Sequence, residues 1–556
     1  MSFNSMTLLF SFIGGLGMFL YGMTLMSDGL QKRSGEKLKS LLNILTKNRF
    51  VGVLVGALIT AIIQSSSATT VMVVGFVNSG LMNLTQAVGV IMGANIGTTI
   101  TAWIVSLNQI GSFLKPEALA PIVLGIGAFF VVFIKDRNKK DLGEILIGLA
   151  LIFIGLNFMS TAMKPLSQMP EFIDLFRTFG NFPILAVLVG LGVTALIQSS
   201  SASVGILQTL TSTGAIGFGA AAYITLGQNI GTCVTALLSS SGANRVAKRA
   251  AIIHLLFNIV GTIVFAAIMF VVFNFINPAL GSKTTDSVQI SIFHTIFNIT
   301  NTLVLFPFAK ILVKISEWII PIKTDEEIEV DDVGITKKHL DIRLLETPLT
   351  ALNVVRDEIK HLAKVVEKNL ARVKTIIESD DMDKANKIIR KEKEINSMTV
   401  IITQYLVEIS KLSLNNTQRL YIDDLLYTVS DIERVADHCE NIAEIIIEKV
   451  NNKREFSKEA QEELVMIMDL ARSSYLSAIE ARINDNNDAA IQSIKAEQKI
   501  DILEEMYKKS HLNRMSENNC DAQTGVYFMD IISNLERISD HSSNISGYVQ
   551  SEHYTN

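Results

Sequence analysis

Two short polar clusters interrupt long apolar runs: Gln64-Ser65-Ser66-Ser67 and Gln198-Ser199-Ser200-Ser201. Each offers one amide and three hydroxyls, groups that both donate and accept hydrogen bonds. At the tip of a helical hairpin, the helix that follows such a cluster presents its first backbone N–H groups and the positive end of its dipole. That environment favours a phosphate-like oxyanion. A second pair of motifs is Gly93-x-Asn95-Ile96-Gly97-Thr98 and Gly227-x-Asn229-Ile230-Gly231-Thr232. These read as breaks in crossing helices, freeing carbonyls and adding the oxygens of Asn95, Thr98, Asn229 and Thr232 as ligands for a hard monovalent cation. None of the four motifs contains Lys, Arg, Asp or Glu. A desolvated dianion without a basic partner is costly. Co-bound cations such as sodium would supply the countercharge, which argues for symport and against a channel lined by basic residues.

The elements that hold these motifs follow from the apolar runs. A bilayer core of about 30 Å needs roughly 20 helical residues. Runs near 6–27, 84–107, 118–134, 143–163, 216–241, 250–276 and 289–315 each fit one crossing. The runs at 51–82 and 183–214 are split by the QSSS clusters into arms of about 13 residues, too short to span. They are expected to be re-entrant hairpins with buried tips. Lys32, Arg33, Lys37, Lys39, Lys47, Arg49, Lys135, Arg137, Lys139, Lys140, Arg245, Lys248 and Arg249 then fall on one side, and the loops at 108–117, 164–182 and 277–288 are sparsely basic. By the positive-inside rule this gives seven crossings, an external N-terminus and a cytoplasmic C-terminal half. A shift of 134 residues superposes both motif pairs, along with Thr60-Ala61 on Thr194-Ala195 and Thr101-Ala102 on Thr235-Ala236. Three crossings separate the repeat starts, so the copies are inverted, the construction of many secondary transporters.

The chain has 556 residues, 49% apolar and 19% charged, with a mean hydropathy of +0.36. Charge is divided unevenly: residues 1–322 hold 19 Lys+Arg and 10 Asp+Glu, the remainder 30 and 44. An apolar, basic half is therefore joined to a polar, acidic one, which excludes a single soluble enzyme fold and a disordered chain. Cys233, Cys439 and Cys520 have no CxxC spacing and imply neither a disulfide framework nor a zinc ribbon. The run Met6–Met26 lacks a basic leader and a small-residue cleavage site, so it reads as a retained helix. No P-loop, nucleophile elbow or HExxH is present, and an enzyme is not expected. Nucleic acid is not an expected partner.

The doubled QSSS and the Gly-x-Asn-Ile-Gly-Thr element resemble the type II sodium–phosphate cotransporters, above all their bacterial members, over about residues 6–320. The resemblance implies sodium-coupled transport of inorganic phosphate across the cell membrane. It places phosphate and sodium ligands on Gln64, Ser65, Ser66, Ser67, Gln198, Ser199, Ser200, Ser201, Asn95, Thr98, Asn229 and Thr232. One departure is Cys233, where the first copy has Thr99. The alternative for small polar residues is close helix packing, and some of the serines cap helix ends. His254-x-x-Phe257-Asn258 and His294-x-x-Phe297-Asn298 form a smaller echo. It reads either as a functional pair or as interhelical hydrogen bonding.

A mostly acidic linker at 323–338 precedes an amphipathic, nearly proline-free segment whose apolar residues recur at helical spacing. Glu433-Arg434-Val435-x-Asp437-His438 recurs as Glu536-Arg537-Ile538-x-Asp540-His541 at an offset of 103, and Ile389-Arg390-x-Glu392 echoes Ile494-Lys495-x-Glu497. Two related bundles of about 100 residues follow. A Glu and an Asp four apart repel unless a cation stands between them. A metal such as iron, manganese or zinc would serve, and so would intrahelical pairing with Arg434 or Arg537. The pattern resembles the PhoU family of phosphate-signalling regulators, over about residues 340–553. That resemblance implies two three-helix bundles with metal on Glu433, Asp437, Glu536 and Asp540. The fold class expected is all-α: a polytopic membrane domain of inverted repeats with two re-entrant hairpins, then a cytoplasmic pair of three-helix bundles. Partners are inorganic phosphate and the bilayer; a homodimer and phosphate-signalling proteins are compatible with this organisation. A membrane-anchored phosphate sensor and a phosphate exporter are the competing functions.

Overall fold

The structure, a computed structural model, describes residues 3–33, 48–110, 116–166, 168–169, 182–214, 216–321, 331–412, 414, 416–517 and 521–555. Lys37, Lys39, Lys47, Cys520, residues 111–115 of the loop at 108–117, most of the loop at 164–182, and the linker stretch 322–330 lie outside them. The described residues form helices joined by short turns and divide into two units, Met1–Glu327 and Ile328–Asn556.

The first unit contains α1 (Phe3–Arg33), α2 (Arg49–Ile63), α3 (Ser66–Ser79), α4 (Leu84–Ile110), α5 (Pro116–Phe133), α6 (Arg137–Leu166), α7 (Pro183–Ile197), α8 (Ser200–Ser212), α9 (Phe218–Ser239), α10 (Arg245–Val271), α11 (Pro278–Ser282), α12 (Ser287–Leu305) and α13 (Ala309–Ile319). Among the described residues, α1, α4, α6, α10 and α12 contain stretches long and apolar enough to cross a membrane. The other two expected crossings coincide with α5 and α9, the latter largely buried in protein.

The α2–α3 and α7–α8 pairs are hairpins. Residues nine apart on a continuous helix stand about 13–14 Å apart along its axis. Here the Thr60 hydroxyl donates to that of Thr69 at 3.0 Å, and Thr194 to Ser203 at 2.8 Å. The chain must therefore reverse between them. Gln64 and Gln198 end their helices in the left-handed region, at φ 56° and 55°, and Ser65 and Ser199 restart the chain in extended conformation. A glutamine there is strained by its Cβ, and both copies carry the same strain.

The expected breaks at Asn95–Thr98 and Asn229–Thr232 do not occur: α4 and α9 run through both motifs as continuous helices. Their glycines serve contact instead. A Cβ on Gly93 would stand 2.0 Å from the Val53 carbonyl oxygen, and one on Gly227 1.9 Å from that of Val187. The backbones of α2 and α4, and of α7 and α9, therefore touch, the close approach that small residues permit between helices in lipid. A glycine signal for helix weakening and one for helix contact are the same in sequence; the packing decides between them.

The expected crossing at 289–315 is also corrected. α12 ends at Leu305, and a bend leads into α13. This second helix buries Ala309, Leu312 and Ser316, exposes Ile311, Ile315 and Trp318, and turns Lys310 and Lys314 to a third face. That three-sided pattern suits a helix lying in the headgroup region rather than one crossing the bilayer. Arg245 and Arg249 fasten its end through the Pro321 and Ile320 carbonyls.

The second unit is two three-helix bundles: α15 (Pro348–Ser379), α16 (Met382–Ser410) and α17 (Asn416–Asn451), then α18 (Lys458–Asn484), α19 (Asn487–Ser516) and α20 (Ala522–Thr555). They pack side by side, α15 on α18 and α17 on α20. A short α14 (Asp332–His339) precedes them. It docks by a polar seam rather than an apolar stripe. His339 Nδ1 contacts Glu358, His361 meets Glu358 and Asp332 at 3.5 and 3.4 Å, and Lys391 Nζ donates to Asp332 at 2.9 Å. Burial pushes Glu358 up, but hydrogen bonding and charge from His339, with His361, hold it below the ordinary carboxylate range.

Gly93→Ala and Gly227→Ala are expected to destabilise the protein by about 1–3 kcal/mol each through overpacking. Gly125→Ala and Gly192→Ala, where a Cβ meets open space, are the controls. Thermal unfolding in detergent reads both pairs. A carboxylate with a lowered folded value gives stability above its unfolded value and loses it as pH falls through the folded one. Amide exchange over 332–339, corrected for intrinsic rate, should therefore accelerate below pH about 4. Glu358→Gln should weaken that dependence, leaving the part carried by Asp332, which burial pushes up but Lys391 and His361 hold below the ordinary range.

Candidate functional site

The two QSSS tips share one backbone plan. Ser65 Oγ accepts the Ala68 N–H at 3.1 Å and Ser199 Oγ that of Ala202 at 3.2 Å, so these serines cap α3 and α8. The N–H groups of the first two residues of each helix have no acceptor in their own helix. Those residues are Ser66 and Ser67 in one tip and Ser200 and Ser201 in the other. The Ser66 hydroxyl is buried without a hydrogen-bond partner, Ser200 and Ser201 are buried, and Ser67 is half-buried.

The glutamines differ. Gln64 is buried; its Nε2 donates to the Ala61 carbonyl and its Oε1 accepts from Thr101 Oγ1 at 3.0 Å. Gln198 is exposed. Among the described residues no hydrogen bond joins one tip to the other. The repeats nevertheless interlock, since α3 packs on α9 and α8 packs on α4. Gln208 of α8 donates to the Ala102 carbonyl of α4 at 3.1 Å and to Ser291 Oγ of α12 at 2.8 Å.

On α4 and α9 the polar side chains turn back on their own helices. Asn95 Nδ2 donates to Ile91 O at 2.8 Å, Thr98 Oγ1 to Ala94 O at 2.9 Å, Asn229 Nδ2 to Thr225 O at 2.9 Å and Thr232 Oγ1 to Gln228 O at 3.0 Å. With their donors engaged, these residues offer oxygen lone pairs to a ligand, as a cation requires. Asn229 Oδ1 meets His294 Nε2 at 3.3 Å, an interhelical contact between α9 and α12. Among the described residues the His254 ring makes none, since both its nitrogens are buried without partners, although its carbonyl meets Cys233 Sγ of α9 at 3.5 Å. Cys233 is a buried free thiol that contacts Asn258 Nδ2 at 3.3 Å. The interhelical contact of His294 is one of the two readings its motif allowed; sequence reasoning missed Thr101, Gln208 and Gln228 as parts of this network. The repeat alignment already contained Thr101 and its counterpart; the two glutamines gave no signal.

In the second unit, carboxylate oxygens of Glu497, Asp501 and Asp540 lie within 4.8 Å of one another, with Glu536 one turn from Asp540. The first bundle places Glu392 beside Glu433 and Asp437, but Asn396 stands where Asp501 is in the second, and it donates to Glu392 at 3.0 Å. Glu392 and Glu497 were visible as a repeated echo, and their place beside the Glu-x-x-x-Asp pairs comes from the bundle. Intrahelical pairing coexists: Arg537 stands 3.6 Å from Glu536 and 3.7 Å from Asp540. Burial first, and then neighbouring carboxylates, hold Glu392, Glu433, Glu497 and Glu536 above the ordinary range; burial also raises Asp437 and Asp540. Crowded, partly desolvated oxygens suit a divalent cation. Between the bundles His438 and His541 stack at 5.6 Å. Each Nδ1 meets the opposite bundle at 2.8 Å, at Asn534 and Asp431 respectively.

Residues 18–161 and 162–282 match the Na+/Pi-cotransporter family, and residues 359–446 and 464–549 match the PhoU domain. Full-length relatives include the proposed inorganic phosphate export protein YjbB of Salmonella typhimurium and that of Escherichia coli K12. Both are 25% identical, with 96% of each chain aligned. The rat sodium-dependent phosphate transport protein 2A is 37% identical over 101 residues, 18% of this chain and 16% of that one. The solved PhoU of Pseudomonas aeruginosa is 20% identical, with a TM-score of 0.36, covering 37% of this chain and 98% of that one. The chain is a membrane protein whose first unit carries a Na+/Pi-cotransporter family domain and whose second unit is a PhoU domain.

Proposed function

We propose that this protein is a sodium-coupled, alternating-access transporter of inorganic phosphate, with its PhoU domain as a cytoplasmic regulator. The carrying observation is the duplicated hairpin tip: helix starts with acceptor-free N–H groups, and a buried, unpartnered hydroxyl at Ser66. Such a site receives an oxyanion. The absence of charged residues from the four motifs supports cation coupling, because bound sodium then supplies the countercharge. Asn95, Thr98, Asn229 and Thr232 are the oxygen donors assigned to it. The positive-inside pattern supports the cytoplasmic placement of the second unit. The names of the full-length relatives favour net export, which alternating access allows when the gradients point outward.

Reconstituted protein should accumulate radiolabelled phosphate under an inward sodium gradient, but not under a matched potassium gradient, and excess sulfate should not compete. Vesicles preloaded with phosphate should release it when the sodium gradient is reversed. Ser66→Ala and Ser200→Ala should each cut flux at least about tenfold, the cost of one removed hydrogen-bond donor to a charged group. Wild-type flux in both variants would end the assignment of the tips.

The PhoU domain should bind manganese or another divalent metal through Glu497, Asp501, Glu536 and Asp540, and less tightly through Glu392, Glu433 and Asp437. Carboxylates with raised folded values bind protons more tightly folded than unfolded. Without metal, they stabilise the domain as pH falls toward 5 and cost stability as it rises to 7. Metal should therefore raise the melting temperature at pH 7 and act more weakly at pH 5, where protons compete. Asp540→Asn should remove the tighter site and most of the shift, leaving the weaker site of the first bundle, as read by calorimetry and metal analysis.

A further inference from the structure

The repeat offset pairs Gln64 with Gln198 and Thr101 with Thr235. In the first half the threonine hydroxyl donates to the glutamine amide oxygen at 3.0 Å, and both side chains are buried. In the second half the same hydroxyl, Thr235 Oγ1, is buried without a partner, and Gln198 is exposed. The backbone does not account for the difference. The glutamines share φ 56° and 55°, and ψ 24° and 23°, and both tips keep their serine caps and their threonine contacts across the turn. The glutamine side chain is engaged and buried in one half and exposed in the other.

We propose that Gln64–Thr101 and Gln198–Thr235 are alternating latches, the first closed and the second open in this structure, and that Thr101 and Thr235 are positioning residues for transport. The inference rests on the transport reading and deepens it. A latched glutamine has its oxygen engaged by threonine and its nitrogen engaged by the Ala61 carbonyl. It offers little to a ligand. A released glutamine offers both a donor and an acceptor. An unpartnered buried hydroxyl in Thr235 favours the side-chain rotation that closes the second latch. Two hairpins of equal backbone, one withheld and one presented, give an inverted-repeat transporter two states of matched construction. Exchange between them needs a rotamer change at each tip and no refolding of the turn.

The test uses full-length protein in proteoliposomes, with inorganic phosphate as the probe and two readouts. The first is amide exchange at the tips in the resting protein. Thr101→Val, which keeps shape and removes the hydroxyl, should speed exchange over residues 61–68 about tenfold; Thr235→Val should leave residues 195–202 unchanged, since that latch is already open. The second is phosphate turnover. Both variants should lose about tenfold, and Thr101→Ser and Thr235→Ser should restore it. Wild-type turnover in Thr235→Val, or equal exchange effects of the two valines at rest, would overturn the latches while leaving wild-type sodium-driven flux intact. Absence of that flux in the wild type would instead remove the transport reading, and the exchange asymmetry would still report on the latches.

Discussion

Backbone contact between a hairpin arm and the helix beside it governs the geometry of the first unit. Helices ordinarily pack 8–10 Å apart, held there by side chains. α2 on α4 and α7 on α9 come closer because glycines remove those side chains at the contact. A hairpin tip inside a membrane exposes backbone polar groups to a solvent that cannot satisfy them. Bringing the neighbouring helix to touching distance supplies hydroxyls such as Thr101 at the depth of the tip. It also fixes where α3 and α8 begin, and hence where their N-termini point. The same contact keeps α4 and α9 helical through motifs rich in glycine, since a helix supported along its length does not need to be intrinsically stable.

The two units solve opposite electrostatic problems. The membrane motifs offer hydroxyls, amides and helix ends without a formal charge of their own, so in the proposed reading the countercharge of a bound oxyanion arrives with it. The PhoU domain instead gathers carboxylates at partly buried positions, where burial and mutual repulsion raise their proton affinity. In the proposed reading, both places are arranged around a charge that the protein does not carry.

Much of this was legible from residue order. The two offsets located both duplications, and the QSSS clusters located the tips, because polar residues within apolar runs have few structural explanations. The helical period gave the bundles. What escaped had a physical reason. Gly-x-Asn-Ile-Gly-Thr was read as a helix break because glycine lowers helix stability, and the partner backbone that uses the glycine lies some 40 residues earlier. The run at 289–315 was read as one crossing because hydropathy does not see the bend after Leu305, nor the three faces of α13. Gln208 and Gln228 were invisible, since a buried glutamine is recognised only by its partners. Glu497 and Asp501 lie on a different helix from Asp540, and only the bundle brings them together.

The stacked imidazoles between the bundles stand at a junction that is not symmetric: His541 meets the carboxylate of Asp431, to which Tyr548 also donates at 2.9 Å, whereas His438 meets the amide of Asn534 and Ile445 occupies the position equivalent to Tyr548. A perfectly duplicated domain would look the same from either side of that junction, and anything bound across it could sit in two orientations. The acid-for-amide exchange and the unmatched tyrosine remove the ambiguity. They give the domain a front and a back, so the junction has a direction as well as a surface.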